Sequence, residues 1–443
     1  MLQRNKVLAG LFGLMLGAVT GAAMAAGEQF VPLLSYRVGA YAAGGSGIFG
    51  GYIDYMNYIN MTHGGINGVK LTWEECETEY NNSRGVECYE RLKNHGNGAS
   101  LVQPLSTGIT YSLIDRVAAD KIPLVTIGYG RTDAADGEVF PWVFPMITTY
   151  WSQASDIVKY IATKSGGEDK LRGKKIVHLY HDSAYGKEPI PVLQAYAKKF
   201  GFELTLIPVA HPGTDQQAQW LQIRRIKPDW VILWGWGVMN PTALKSAAKV
   251  GYPRTQIIGD WWAGSEEDVI PAGDVAKGYT TAAFNESGAN LPLVEAIKKV
   301  VYGAGKGNLE DKSRIGSVYH VRGIVSGIIT VEAIRTAQAH FGKGKVMTGE
   351  QVRWGLEHLN LTDARLKQLD ADGLMPPTHV TCEDHEGSGL AKFQTWDGTR
   401  WKIVSGWVSP DKDMLRAMIV ESANKYAKEK GITPRDCSKE ASL

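Results

Sequence analysis

The stretch Lys227–Trp262, KPDWVILWGWGVMNPTALKSAAKVGYPRTQIIGDWW, restricts the fold more than any other part of the chain. Its two apolar runs, Trp230–Trp234 and Gln256–Gly259, are short and β-rich, as buried parallel strands are. Between them, Asn240–Val250 has helical spacing and stops at Gly251, with Pro253 just beyond. A strand, a helix and a second strand in this order imply a parallel sheet with a right-handed crossover. Each strand ends in aromatic residues, Trp234 and Trp236 on the first, Trp261 and Trp262 on the second. Ligands of open α/β sheets lie outside the carboxyl ends of the strands, so these indoles suggest the floor of a cleft. The competing reading is that some of them are core, because Trp is usually mostly buried.

The same alternation runs through most of the chain. Strands are expected at Phe30–Tyr36, Val69–Glu74, Ser100–Gln103 and Pro123–Ile127, with helices from about Ile48 to Met61, Gly85–Asn94 and Thr110–Asp120. A second series begins with a helix at Trp151–Lys164 and continues with strands Lys175–Tyr180, Glu203–Val209 and Gly278–Phe284. Helices are expected over 291–303, 316–340 and Glu350–Leu359. Beyond Pro376-Pro377 the period changes to two, giving a hairpin about Asp397-Gly398, and Asp413–Lys430 reads as a charged terminal helix. The fold class is therefore α/β, with two doubly wound parallel-sheet lobes joined by multiple hinge crossings near 145–149, 278–284 and 370–377. A chain of 443 residues is long for one core. The expected division is 26–146 plus 280–375 for lobe 1 and 147–279 plus 376–443 for lobe 2.

Residues 1–25 have the form of a secretory leader: basic MLQRNK, an apolar run, and Ala23-Met24-Ala25 at the cleavage point. Export to a periplasm is the expectation, with cleavage after about Ala25. No other stretch approaches the roughly 20 apolar residues that span a bilayer. Four cysteines in an exported chain predict disulfides, and three pairings are open. The expected pairs are Cys76 with Cys88, flanking a turn-rich segment, and Cys382 with Cys437 in the C-terminal region. A net charge of +2 with no dense basic run gives no sign of a nucleic-acid partner.

Two motifs imitate chemistry. Gly45-Ser46-Gly47-Ile48-Phe49-Gly50 is a literal G-x-G-x-x-G, with Glu74 and Glu75 where a ribose-binding acid belongs. About eight residues separate it from the strand, however, and the dinucleotide fingerprint needs a tight turn there. No cofactor is expected; the glycines instead suggest backbone N–H groups offered to an anion at a helix start. His379-x-x-Cys382-x-x-His385 has a metal-like spacing, but residues three apart on a strand point oppositely, so no metal is expected. Neither a nucleophile elbow nor a zinc helix is present.

Candidate ligand-binding residues lie at the strand ends. They are Arg37 and Tyr41 after the first strand, Ser106 and Thr107, then Gly128, Tyr129 and Gly130, then Tyr185, Trp236, Asp260 and Trp261. Hydroxyls and backbone N–H groups at a helix start bind carboxylates. Arg37 adds a fork-shaped cation, or else only a surface ion pair.

Taken in order, several segments resemble the solute-binding proteins of the branched-chain amino-acid type of ABC transporter, the type I periplasmic binding fold. They are Gly64-Gly65-Ile66-Asn67-Gly68, Pro104-Leu105-Ser106-Thr107-Gly108, Ile122-Pro123-Leu124-Val125, His181-Asp182-Ser183-Ala184-Tyr185-Gly186, Lys227-Pro228-Asp229 and Ala247-Ala248-Lys249-Val250-Gly251. The resemblance implies that Ser106-Thr107 and the loop Gly128-Tyr129-Gly130 grip a ligand carboxylate while Tyr185 closes from the other lobe. Two departures matter. Family members often have small and hydroxyl residues at 128–130, and amino-acid binders tend to place a carboxylate where Trp261 aligns. Only Asp260 remains to hold an amine, and an unpaired ammonium is costly to bury. An aromatic or apolar carboxylate is therefore favoured over a branched-chain amino acid, with Tyr185, Trp236 and Trp261 around its body. The implied protein is a monomeric receptor without catalytic activity, partnered by a membrane permease. The alternatives are an exported hydrolase or nicotinamide oxidoreductase, or a ligand sensor of the same fold.

Overall fold

The computed structural model describes residues 27–440, so the leader at 1–25 lies outside the described residues. The first half opens with β1 (Glu28–Leu33), α1 (Ala42–His63), β2 (Lys70–Glu75), α2 (Asn82–Leu92), α3 (Thr107–Asp120), β3 (Leu124–Ile127) and β4 (Val143–Met146). β1 pairs parallel with β2, and β3 with β4. The expected strand at Ser100–Gln103 exists only as parallel bridges, Phe30 to Ala99 and Val102 to Leu124, which stitch the two pairs into one layer.

The chain then crosses over. α4 (Tyr150–Ser165), β5 (Lys175–His181), the short α5 (Ala184–Lys187), α6 (Ile190–Phe200), β6 (Glu203–Val209), α7 (Gln217–Ile226), β7 (Trp230–Trp234), α8 (Met239–Lys249), β8 (Ile257–Gly259), α9 (Glu266–Val269) and β9 (Thr280–Ala283) build the second half. After α10 (Pro292–Ile297), α11 (Val318–Phe341), α12 (Gly349–Glu357), β10 (Asn360–Leu361), α13 (Asp363–Gln368) and β11 (Thr378–His379) come the hairpin β12 (Lys392–Trp396) and β13 (Trp401–Ile403), and finally α14 (Lys412–Lys430). The larger sheet has the order β13-β12-β9-β8-β7-β5-β6, parallel from β6 to β9 and antiparallel at the hairpin end. Both expected disulfides, Cys76–Cys88 and Cys382–Cys437, are formed.

Two expected boundaries move. β9 belongs to the larger sheet, so the second crossing follows Ala283 rather than preceding Thr280. The terminal helix α14, expected with lobe 2, buries Ala423, Tyr426 and Ala427 among first-half residues such as Leu113, Val117 and Phe140. Its Tyr426 donates to Asp115 on α3, 3.0 Å away. A charged helix read alone carries no record of which apolar surface it covers.

The glycine-rich segment is helical, not a loop: α1 begins at Ala42, six residues before the expected start. A Cβ on Gly51 would lie 1.9 Å from the His320 carbonyl oxygen, and one on Gly323 1.9 Å from that of Ile48. Glycine is required there because α1 and α11 touch backbone to backbone. The anion role suggested by G-x-G-x-x-G finds no support here, since Gly45, Gly47 and Gly50 are buried helical residues packed against Tyr36, Tyr319 and Leu309. Cys382 is engaged in its disulfide, and His385 Nδ1 bonds the Val143 carbonyl at 2.8 Å. Among the described residues no group of three or more His, Cys, Asp or Glu is placed to hold a metal ion.

Candidate functional site

Both halves direct strand ends at one cavity. From the first come Tyr36, just past β1; Tyr80, in the loop tied by Cys76–Cys88; Leu105 and Thr107, at the start of α3; and Tyr129, after β3. From the second come Tyr150, the first residue of α4; Tyr185, on α5; Trp236, after β7; and Trp262, after β8. The cavity is small, about 20 Å³. It is a narrow slot between ring faces, lined from both halves.

Its polar atoms divide into engaged and free. Tyr36 donates to the Leu105 carbonyl at 2.9 Å, and Tyr129 Oη accepts from the Leu105 N–H at 2.8 Å. Tyr185 Oη lies 2.6 Å from Asp260 Oδ2 and 2.9 Å from the Gly235 carbonyl oxygen, so its proton is engaged. Thr107 and Tyr150 share one contact of 3.2 Å, which leaves one of the two hydroxyl protons free. Ser106 caps α3 by accepting from the Ile109 N–H. The N–H groups of Thr107 and Gly108, in the first turn, have no acceptor within the helix. No lysine, arginine or carboxylate is among the lining residues. Burial holds the phenols of Tyr36, Tyr129, Tyr150 and Tyr185 well above their ordinary range, so all remain neutral. The slot thus offers hydrogen-bond donors and aromatic surface, but no fixed charge.

The expected residues separate accordingly. Thr107, Tyr129, Tyr185 and Trp236 line the slot, and Tyr41 packs at its rim, parallel to Trp236 with ring centres 6.4 Å apart. Tyr129 lines it with its ring while its hydroxyl serves the backbone, so it is no carboxylate ligand in this form. Ser106 acts as a helix cap rather than a lining group. Gly128 presents a carbonyl, not an N–H: the Trp261 and Trp262 indoles both donate to it, at 2.7 and 2.8 Å. Gly130 packs against the Thr126 side chain instead of the slot. Trp261 is fully buried, near Tyr150 and Phe284, and its neighbour Trp262 faces the slot.

Asp260 sits behind Tyr185, where desolvation raises its carboxyl far above the usual carboxylate range, favouring the neutral acid. Arg37 lies outside, bonded to Glu75 at 2.7 Å and Asn308 at 2.6 Å. Lining residues absent from the list of ligand candidates are Tyr36, Tyr80, Leu105 and Tyr150, together with Trp262, expected only as one of four indoles at the cleft floor. Tyr36 and Trp262 stood at expected strand ends. Tyr80 and Tyr150 left no signal, because a loop and the first turn of a helix have no period that fixes a side chain's direction.

Behind Trp262 lies Arg322 of α11, fully buried. Its guanidinium is 4.8 Å from the Trp262 ring centre and 4.7 Å from that of Phe284. It donates to the Trp261 carbonyl at 2.5 Å and to Asn285 Oδ1 at 3.0 Å. Desolvation lowers its pKa only to about 10, so it stays charged and fixes the Trp261-Trp262 turn against the second crossing.

A family model for periplasmic binding proteins matches residues 28–400. The chain belongs to the periplasmic binding protein family. Among solved structures, one from the Pseudomonas fluorescens group, described as an ABC transporter permease, is 52% identical over 93% of this chain and 99% of its own, with a TM-score of 0.86. A branched-chain amino-acid ABC transporter protein from Thermus thermophilus with bound valine is 20% identical over 88% and 99%, TM-score 0.73. A solute-binding protein of an ABC transporter from R. palustris, in complex with benzoate, is 17% identical over 87% and 97%, TM-score 0.67. These last two share the fold of this periplasmic binding protein. No curated protein matches the sequence. No helix among the described residues is long and apolar enough to cross a membrane.

Proposed function

We propose that this periplasmic binding protein is the solute receptor of an ABC importer. It closes on a small carboxylate with an aromatic or apolar body and passes it unchanged to a membrane permease. The observation that carries the ligand class is the chemistry of the slot, which has neutral donors and ring faces but no counter-charge for an ammonium. A carboxylate finds Thr107, Tyr150 and the unpaired N–H groups at the start of α3; a flat body finds the faces of Trp236 and Trp262. Asp260, behind the slot-lining Tyr185, favours its neutral form and already accepts from Tyr185. An amino-acid ligand would therefore leave its ammonium unpaired, at a cost of several kcal/mol. Similarity to proteins holding valine in one case and benzoate in another leaves both classes open, and the slot favours the second.

Thermal unfolding with benzoate, phenylacetate, valine and leucine tests the reading. A ligand at about a hundred times its Kd raises stability by about 2.7 kcal/mol. Aromatic acids are expected to produce that shift and the amino acids none. A shift with valine or leucine alone would overturn the ligand class.

A further inference from the structure

Away from the slot, one side chain fastens the second half to the first. Glu188 follows α5, three residues beyond the slot-lining Tyr185. Its Oε2 accepts from Tyr111 Oη at 2.5 Å and its Oε1 from the Thr132 N–H at 2.6 Å. Tyr111 lies on α3 and Thr132 in the turn after β3, so both donors belong to the first half. That turn is itself held firmly. Arg131 makes a two-pronged contact with Asp133, at 2.5 and 2.9 Å, and its guanidinium lies over the rings of Tyr111, Phe140 and Tyr426. On the other side, the Glu188 carbonyl accepts from the Trp151 indole of α4 at 2.9 Å, tying the carboxylate to the second half. Glu188 does not line the slot.

We infer that Glu188 is the closure latch of this receptor, a positioning residue that sets ligand affinity without touching ligand. The inference rests on the proposed closing motion. Separating the halves returns the carboxylate, the phenol and the amide to water; closing pairs all three at once. The same movement brings Tyr185 over the slot, because only two residues separate it from Glu188. A latch of this kind stabilises the closed form by a fixed amount whatever the slot contains. Its loss should therefore weaken every ligand by one common factor, through faster release rather than slower capture.

The test compares wild type with Glu188→Ala, Glu188→Gln and Tyr111→Phe. Amide exchange at Thr132 needs no ligand: it should be slow in wild type, fast in Glu188→Ala and intermediate in Glu188→Gln. With benzoate and phenylacetate as probes, Glu188→Ala should raise both Kd values by the same factor, about tenfold or more, as expected for the loss of two buried hydrogen bonds. Tyr111→Phe, which removes one donor, should give a smaller common factor while the unfolding temperature of the free protein stays near wild type. Unchanged exchange at Thr132 in Glu188→Ala overturns the latch, as does a factor that differs between the two probes. If neither probe binds wild type, the aromatic-acid reading fails, and exchange at Thr132 still decides the latch.

Discussion

The two tryptophan-bearing strand ends look alike in sequence and divide alike in structure. At the end of β7, Trp234 is wholly buried within the second half while Trp236, two residues on, lines the slot. At the end of β8, Trp261 is wholly buried and Trp262 lines the slot. In each pair the residue nearer the strand completes the core and the one farther along reaches the slot. The pairs differ in how the turn achieves this. Gly235 and Gly237 flank Trp236, and Gly237 takes a φ of +59°, letting the chain reverse and swing the indole toward Tyr41 and Gly44. Trp261 and Trp262 sit in a 3-10 turn, both donating to one carbonyl in the opposite half, with Arg322 behind. An indole's role is thus set by the turn beneath it rather than by its side-chain type.

Replacement by alanine breaks the comparison most directly. Trp234→Ala and Trp261→Ala should each cost about 3–5 kcal/mol of folding stability, the range for large buried aromatics. Trp236→Ala should cost clearly less stability yet weaken aromatic-acid binding about tenfold or more, because its ring borders the slot. Chemical denaturation together with calorimetry separates the two, and equal stability losses at 234 and 236 would erase the distinction.

A milder change isolates the shared carbonyl. Trp261→Phe and Trp262→Phe each leave one donor to Gly128, so each should lose about 1 kcal/mol. Only the second should also weaken ligand binding, measured under the same conditions.

Two histidines sharpen the contrast through pH. His178 packs edge-on against Trp234, and His181 bonds Tyr41 Oη at 2.9 Å on the slot's rim. Burial lowers each to about 4, helped at His181 by neighbouring His211, against an ordinary value of 6.5. Between those values the folded protein binds fewer protons than the unfolded chain. The stability these groups contribute is complete above pH 6.5 and is lost as pH falls toward 4. Histidine titration followed by NMR should show added ligand moving His181 and leaving His178 in place.

The smallest effect concerns Asp260. Because burial favours its neutral form, Asp260→Asn should change aromatic-acid affinity by less than about threefold, since amide and neutral acid both accept from Tyr185. A larger loss in calorimetry would mean that the carboxylate charge serves the ligand, restoring an amine-bearing class.

Much of the architecture was legible in the residues. The parallel β-α-β units around Trp230–Trp234 and Ile257–Gly259, the hairpin about Asp397-Gly398 and both disulfide pairs stand where periodicity and cysteine placement put them. The site was only partly legible. Thr107, Tyr185 and Trp236, candidates from the rule about strand ends, line the slot, whereas Tyr80 and Tyr150 reach it from segments whose side chains have no periodic direction. Trp261 was exchanged for Trp262 because adjacent residues in a turn differ in facing by an angle that only the turn's conformation sets.

Most of the elements, their order and the chemistry massed at their ends could be read from the residues, since local periodicity and strand-end position depend on near neighbours. Which groups remain free once the halves meet depends instead on long-range contacts. Gly128 became an acceptor because two indoles arrive from the far half. Arg37 became a surface partner of Glu75. The glycine run became a helix because α11 lies against it. Each outcome depends on a partner distant in the chain, and hydrogen-bond capacity is divided only when such partners come within about 3 Å.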